Sequence, residues 1–191
     1  MIDLSFATGE DATSMDIAYT DVMTGDRDRR MYLYYQLIQS MKKATQIDII
    51  VSFLMESGVR MLLKELDNAL NRGARVRILT GNYLGITQPS ALYLIKRELK
   101  DRVDLRFYNE KERPFHPKSY FFHYEDHSEI CIGSSNISRS ALTSAIEWNY
   151  RFSSTADRLN YEIPVPTFEA QDVIEFRTMD YYKRRYDDGD K

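Results

Sequence analysis

The chain has 191 residues, of which 43% are hydrophobic and 29% charged, with a formal net charge of −3. That composition leaves room for one ordinary globular domain with short appendages and excludes a wholly disordered, collagen-like or coiled-coil chain. A single cysteine, Cys131, excludes an internal disulfide, three histidines beside it are too few for a typical structural zinc site, and no apolar run approaches the ~18 residues of a membrane span. Met1-Ile2-Asp3 lacks the basic-then-apolar pattern of a signal peptide. A soluble, cytoplasmic domain without cofactor or metal is therefore expected. Charge is uneven along the chain: residues 1–30 carry seven acids and three bases, residues 31–154 carry seventeen bases and thirteen acids, and residues 155–191 carry six bases and nine acids. The basic middle suits a polyanionic partner without requiring one.

Residues 1–27 are polar, with Gly9, Gly25 and scattered Asp, and read as an irregular arm. Met31, Tyr34, Tyr35, Ile38 and Met41 recur at helical spacing and predict an amphipathic helix over 28–43. The Ile- and Val-rich run 47–54 predicts a buried strand. Val59, Leu62, Leu63, Leu66 and Leu70 form a second helical stripe, stopped by Gly73 as a C-cap. A strand over 76–80, a helix started by Pro89 with Leu92, Ile95 and Leu99 on its apolar face, and a strand over 103–108 complete a βαβαβ succession, which implies parallel strands. The second half changes character. Strands are expected over 115–123, 129–134 and 145–152, with a short helix over 138–143. A Pro-containing link, Ile163-Pro164-Val165-Pro166, precedes a helical stretch over 167–185 that carries Lys183-Arg184-Arg185. The sequence stops soon afterwards, which reads as the cut end of a longer protein.

One constellation carries chemistry: His116-Pro117-Lys118, then Gly133-Ser134-Ser135-Asn136, then Glu147. Residues two apart on a strand share a face, so His116 and Lys118 project together, Ser134 and Asn136 do so if the strand persists that far, and Glu147 pairs with Asn149. The chemistry this suits is phosphoryl transfer. Imidazole can attack phosphorus and split one displacement into two. A Lys ammonium, an Asn amide and a Ser hydroxyl can hold the charge that spreads over the phosphoryl oxygens. Glu147 could accept from the second nitrogen of His116 and fix its tautomer. The amides at the start of the helix near Ser138 could also face an anion. Each piece alone has a plainer reading: His and Lys on one strand occur by chance, Gly-Ser-Ser-Asn is most often a turn with an N-cap, and Glu147 a surface charge. Their combination behind a βαβαβ half is far more specific.

In these motifs residues 47–152 resemble the phospholipase D superfamily: an HxK, a G-S-x-N element and a Glu eleven residues beyond the Asn. The resemblance implies a phospholipase D-like α/β fold, a mixed β-sheet with helices on both faces. It implies His116 as nucleophile, Lys118 and Asn136 as phosphate ligands, Ser134 as a further donor and Glu147 as the orienting acid. The family pattern has an Asp five residues after the Lys, where this chain has His123. Family sites contain two HxK motifs and this chain has one, since neither His123 nor His127 is followed by Lys at two residues. A homodimer completing the active site is therefore expected, one His116 as nucleophile and the other as general acid, with the helix at 28–43 and the segment after Asn136 as contacts. Single-motif members are typically nucleases, including the catalytic domain of a metal-independent restriction enzyme. Leu79-Thr80-Gly81-Asn82-Tyr83 and Phe115-His116-Pro117-Lys118 resemble the N-terminal domain of large bacterial helicase-type proteins. The implied organisation is an irregular arm (1–27), a catalytic domain (28–160) and a helical extension (161–191) leading to further domains, with helicase domains as partners in the full chain.

The function this implies is a metal-independent phosphodiesterase, a DNA nuclease acting through a phosphohistidine. The alternative is a catalytically silent module that binds nucleic acid or a partner. Lipid hydrolysis is weaker, because no basic amphipathic helix or membrane-docking stretch is present. Elsewhere the plainer readings are preferred. Tyr34-Tyr35 and Tyr181-Tyr182 are core or interface rings before they are base-stacking ones, Cys131 is a small buried hydrophobe, Trp148 packs on the sheet face opposite Glu147, and Arg72, Arg75 and Arg77 are solvated.

Overall fold

A run of β-branched residues is stable in a sheet that buries both its faces, and this governs the centre of the molecule. The structure is a computed structural model that describes residues 21–27, 31–108 and 114–156. Its elements are β1 (Val22–Met23), α1 (Leu33–Met41), β2 (Gln46–Val51), α2 (Glu56–Asn71), β3 (Arg75–Gly81), α3 (Pro89–Leu99), β4 (Val103–Tyr108), β5 (Lys118–His123), β6 (Ser128–Gly133), α4 (Arg139–Thr143) and β7 (Asn149–Ser153). They form one seven-stranded sheet in the order β1-β7-β6-β5-β2-β3-β4. β2, β3 and β4 are parallel, and β5, β6, β7 and β1 continue the sheet antiparallel from β2. This is the mixed α/β sheet expected from the sequence.

The helices form where their apolar stripes predict them. Leu33, Leu37 and Met41 of α1 and Val59, Leu62 and Leu66 of α2 are buried against Ile47, Ile49, Val76, Ile78, Tyr120 and Phe122 of the sheet, with α3 and α4 in the same layer. Each such side chain contributes about 1.5–3 kcal/mol on burial. α2 ends in a Schellman motif: Gly73 has φ +90°, its N–H donates to Leu70 O at 3.0 Å, and Ala74 N–H donates to Ala69 O at 3.0 Å. Pro89 stands at the start of α3, where its missing N–H has no partner to lose. The other face of the sheet is closed as well: Ile50, Leu79, Tyr108, Phe115, Phe121 and Ile130 form a second buried apolar cluster.

Several limits differ from expectation. The arm expected over 1–27 contributes β1, whose two residues pair with Tyr150 and Asn149 of β7. Helix α1 starts at Leu33 rather than near 28. The strand expected from 115 starts at Lys118, the first residue paired with β2, because Pro117 has no N–H to donate. The strand expected from 145 starts at Asn149. Arg77, expected to be solvated, is largely buried: it donates from Nε and Nη2 to the Asp48 carboxylate, both at 2.6 Å. The helix expected over 167–185 and the extension over 161–191 lie outside the described residues.

Candidate active site

The antiparallel join between β2 and β5 decides where the chemistry-bearing residues meet. Val51 ends β2 and stands opposite Lys118, which begins β5. On the other side, Gly133 ends β6 opposite Asn149, which begins β7. Ser52, Gly81, His116, Ser134 and Glu147 therefore all sit at one edge of the sheet, at the carboxyl ends of β2, β3 and β6 and the amino ends of β5 and β7.

Lys118 is 7% exposed, so its ammonium needs protein partners. Nζ donates to Ser52 Oγ at 3.0 Å and to the His116 carbonyl at 3.0 Å, and lies 2.9 Å from each ring nitrogen of His116. It can donate only to the ring nitrogen that carries no proton. Ser52, fully buried, donates in turn to the Pro117 carbonyl at 3.1 Å. His116 itself is exposed. Burial and then the Lys118 charge hold its pKa below the usual histidine value, which favours the neutral, nucleophilic imidazole. The Lys118 pKa is lowered by burial, against which the Glu147 charge pulls it up.

Asn136 is anchored through the residue after Ser52. Phe53 N–H donates to Asn136 Oδ1 at 3.2 Å, which fixes the amide orientation and leaves its NH₂ group as the donating end. Ser52 and Phe53 thus hold the Lys and the Asn together. Ser135 is buried: its N–H donates to Asn149 Oδ1 at 3.4 Å, and Asn149 Nδ2 donates to Ser135 Oγ at 2.9 Å. Tyr120 Oη donates to the Ser135 carbonyl at 2.9 Å, and burial pushes this phenol far above its usual pKa. α4 follows, with Ser138 as its N-cap, Oγ accepting from Ala141 N–H at 3.2 Å. Ser134 is exposed: its Oγ donates to the Glu147 carboxylate and accepts from Trp148 N–H at 3.0 Å, while Ser134 N–H donates to the Trp148 carbonyl at 3.0 Å.

The sequence-derived set is therefore brought to one edge, with corrections of detail. His116 precedes the strand instead of lying in it, and it is Lys118 that reaches back to its ring. Ser134 and Asn136 do not share a face, because β6 ends at Gly133: Ser134 is exposed and Asn136 is 4% exposed. The Glu147 carboxylate takes the Ser134 hydroxyl rather than the His116 ring. Trp148 does not pack on the sheet; its side chain is 68% exposed. Cys131 is buried as expected, its thiol pushed up to about 12 by that burial. Two contributors have no role in the site read from the sequence: Ser52, and Tyr83, which enters there only within the resemblance of residues 79–83 and whose ring centroid lies 4.3 Å from that of His116. Their signal was position: each follows a buried parallel strand at its carboxyl end, where open α/β sheets place ligands. Among the described residues no group of three or more His, Cys, Asp or Glu could hold a metal ion, and no helix is long and apolar enough to cross a membrane.

The family model for the cardiolipin synthase PLD-like domain matches residues 36–163, which spans all of these side chains. The chain belongs to the phospholipase D-like superfamily. No curated protein matches it. Among solved structures, the fold is similar to NucT from Helicobacter pylori, at 14% identity over 78% of this chain and 84% of that one, with a TM-score of 0.50. It is also similar to phosphatidylserine synthase from Haemophilus influenzae Rd KW20, at 13% identity over 81% of this chain but 36% of that one, with a TM-score of 0.51. The phospholipase D-like domain thus spans about a third of the length of that synthase, and at these identities the likeness is one of fold. The departure of this domain from the family pattern, His123, is accommodated: its ring nitrogens meet Ser128 Oγ at 3.0 Å and Asp48 Oδ2 at 3.2 Å.

Proposed function

We propose that this phospholipase D-like domain is a metal-independent phosphodiesterase, a DNA nuclease of the cytoplasm that works through a phosphohistidine. The observation that carries the reading is the Lys118 ammonium, buried, bound to Ser52 and 2.9 Å from the His116 ring nitrogens. A neutral imidazole and a full positive charge at that separation suit attack on a charged phosphodiester. One His116 nitrogen forms a bond to phosphorus as the P–O bond to the leaving oxygen breaks, and water then displaces the histidine. Lys118 and the Asn136 NH₂ hold the non-bridging oxygens, supplying the charge neutralisation that divalent ions give in two-metal nucleases. Ser134 and Glu147 act at the rim, Ser134 by holding the Glu147 carboxylate with its hydroxyl and Glu147 by supporting the charge of Lys118.

The leaving oxygen needs a proton, and a single chain offers one HxK. A homodimer in which the second His116 serves as general acid completes the reaction. Helix α1 spends its apolar stripe inside its own subunit. The exposed Ile146 and Trp148, on either side of Glu147, are therefore the contact we favour. Helicase domains of a longer protein would present the DNA. The second reading is a silent module that binds nucleic acid or a partner, and the exposed Trp148 is the feature that favours it.

Purified protein incubated with labelled single- and double-stranded DNA, with and without EDTA, separates these readings. Cleavage that survives EDTA, is lost in His116→Ala and Lys118→Ala, and leaves a phosphoryl group on His116 after an acid-free quench is the expected result. Binding without cleavage by a confirmed dimer would favour the silent module. Cleavage abolished by EDTA and restored by Mg²⁺ would refute the mechanism.

A further inference from the structure

Gly81 closes β3, and a Cβ there would stand 2.7 Å from Cδ1 of Phe115. The missing side chain lets Phe115 lie against the strand end, where its ring stacks on Tyr108 with centroids 4.8 Å apart and planes 24° apart. Phe115 is thereby held in the apolar cluster of the sheet's second face. The next residue, His116, comes to rest against the turn that follows β3.

That turn is a 3-10 segment, Tyr83–Gly85, and it is tied down at both ends. Asn82 N–H donates to the Tyr108 carbonyl at 3.2 Å, Ile86 N–H to the Tyr83 carbonyl at 3.1 Å, and the buried Thr87 hydroxyl to the Gly81 carbonyl at 2.6 Å. In its middle, Leu84 adopts φ 51° and ψ 23°, a left-handed conformation uncommon for a residue with a large side chain. Leu84 is 67% exposed, so packing of its own side chain does not offset the strain. What the turn achieves is the place of its neighbour: the Tyr83 ring centroid lies 4.3 Å from that of His116, with planes tilted by 50°.

We propose that Tyr83 is a positioning residue for His116, fixing the orientation of the imidazole and covering part of an otherwise exposed ring, and that the strained turn Tyr83–Gly85 serves to hold it there. This rests on the reading of His116 as nucleophile. An attacking ring must be aligned before the reaction, and its lost rotational freedom is then supplied by the fold. It must also be neutral. The groups facing the ring are Tyr83 from the turn and Lys118 from β5, and the Glu147 charge acts on Lys118. An aromatic face alone favours the imidazolium. Loss of water and the Lys118 charge disfavour it, and they prevail.

The test is a proton NMR titration of His116, assigned among the three histidines by comparison with His116→Ala. In the parent protein, cross-relaxation between the ring protons of Tyr83 and His116 is expected, and its absence overturns the proposal. In Tyr83→Ala the His116 pKa rises toward the ordinary histidine value. The acidic limb of kcat/KM on a phosphodiester moves to higher pH with it, and kcat falls on the order of tenfold. Tyr83→Phe keeps the parental titration and rate. A folded Tyr83→Ala protein with an unchanged His116 titration overturns the proposal. The ring contact and the titration are read without turnover, so a protein that cleaves no phosphodiester loses the nuclease reading while this one is judged separately.

Discussion

The His123 ring meets the Asp48 carboxylate across the β2–β5 pair, Nε2 to Oδ2 at 3.2 Å. Gln46 is the residue directly opposite His123, so Asp48 is its diagonal neighbour on the same face. Family members place an Asp at position 123; here the neighbouring strand supplies the carboxylate instead. Asp48 gathers Arg77 and Gln46 as well, at 2.6 and 2.9 Å. The residue that departs from the pattern is thus bound into a network that joins three central strands.

Asp48→Asn should test that network. Burial raises the Asp48 pKa, but hydrogen bonds from Arg77, His123 and Gln46 outweigh it and hold the carboxyl well below the usual carboxylate range. A depressed carboxylate contributes stability above its unfolded pKa of about 3.9, and loses it as pH falls through the folded value. The substitution should cost about 3 kcal/mol at pH 7, because Arg77 is left buried without its charge partner. Urea midpoints of parent and variant should stay that far apart down to about pH 4 and converge only below it.

Glu147→Gln should act on Lys118. The Glu147 charge offsets the burial that lowers the Lys118 pKa. With a neutral amide that support is gone and the pKa falls further. The ammonium is then lost at lower pH, so the basic limb of kcat/KM should move to lower pH while the fold is unchanged. A pH–rate profile of the variant against the parent reads this directly.

Ser52→Ala removes a fully buried hydroxyl that donates to Pro117 and accepts from Lys118. Two polar groups lose a partner in a dry site, a cost of about 1–3 kcal/mol. We expect a lower thermal midpoint and a drop in turnover of roughly tenfold, as the ammonium is left less firmly placed. Calorimetry and single-turnover rates measure the two effects independently.

Gly133→Ala should be worse than its size implies. A Cβ there would meet the Trp148 carbonyl and the Asn149 side chain, and would stand 2.6 Å from Asn149 Cα. Backbone atoms paired across β6 and β7 cannot step aside, so about 1–3 kcal/mol of overpacking is expected, with loss of the Ser134–Trp148 pairing. Gly73→Ala is the contrast: nothing lies within 4 Å, but φ is +90°. It should cost about 1 kcal/mol and leave turnover unchanged. Chemical denaturation of both variants, beside activity, distinguishes the two causes.

Periodicity made the helices and central strands legible, because Leu62 and Leu66 or Ile47 and Ile49 can be sorted only into a buried stripe or a buried run. Motif spacing made His116, Lys118, Asn136 and Glu147 legible as a group. The strand starts were less so. Pro117 delays β5, and the residues 145–148 run as a loop against Gly25, whose Cβ would stand 3.1 Å from Ile146 Cα. Partnerships were the least legible. Nothing in the spacing tells that Ser134, two residues before Asn136, binds Glu147, or that Arg77 is enclosed while Arg75 is exposed. Those depend on which strand lies beside which, and β1, two residues long, carries no pattern at all.

Lys118 stands opposite Val51, and Tyr120 and Phe122 point to the helices because of that pairing. Sliding β5 by one residue would turn Tyr120 and Phe122 away from the helical layer and offer it Ser119, Phe121 and His123 in their place. The same slip would carry the ammonium out of reach of Ser52. A misassembled molecule is therefore both unstable and inert, and the chain has no well-folded, inactive form of this kind in which to rest. Active-site titration of any soluble, cooperatively unfolding preparation should count one competent site for every two folded chains, the stoichiometry of a site shared by a dimer.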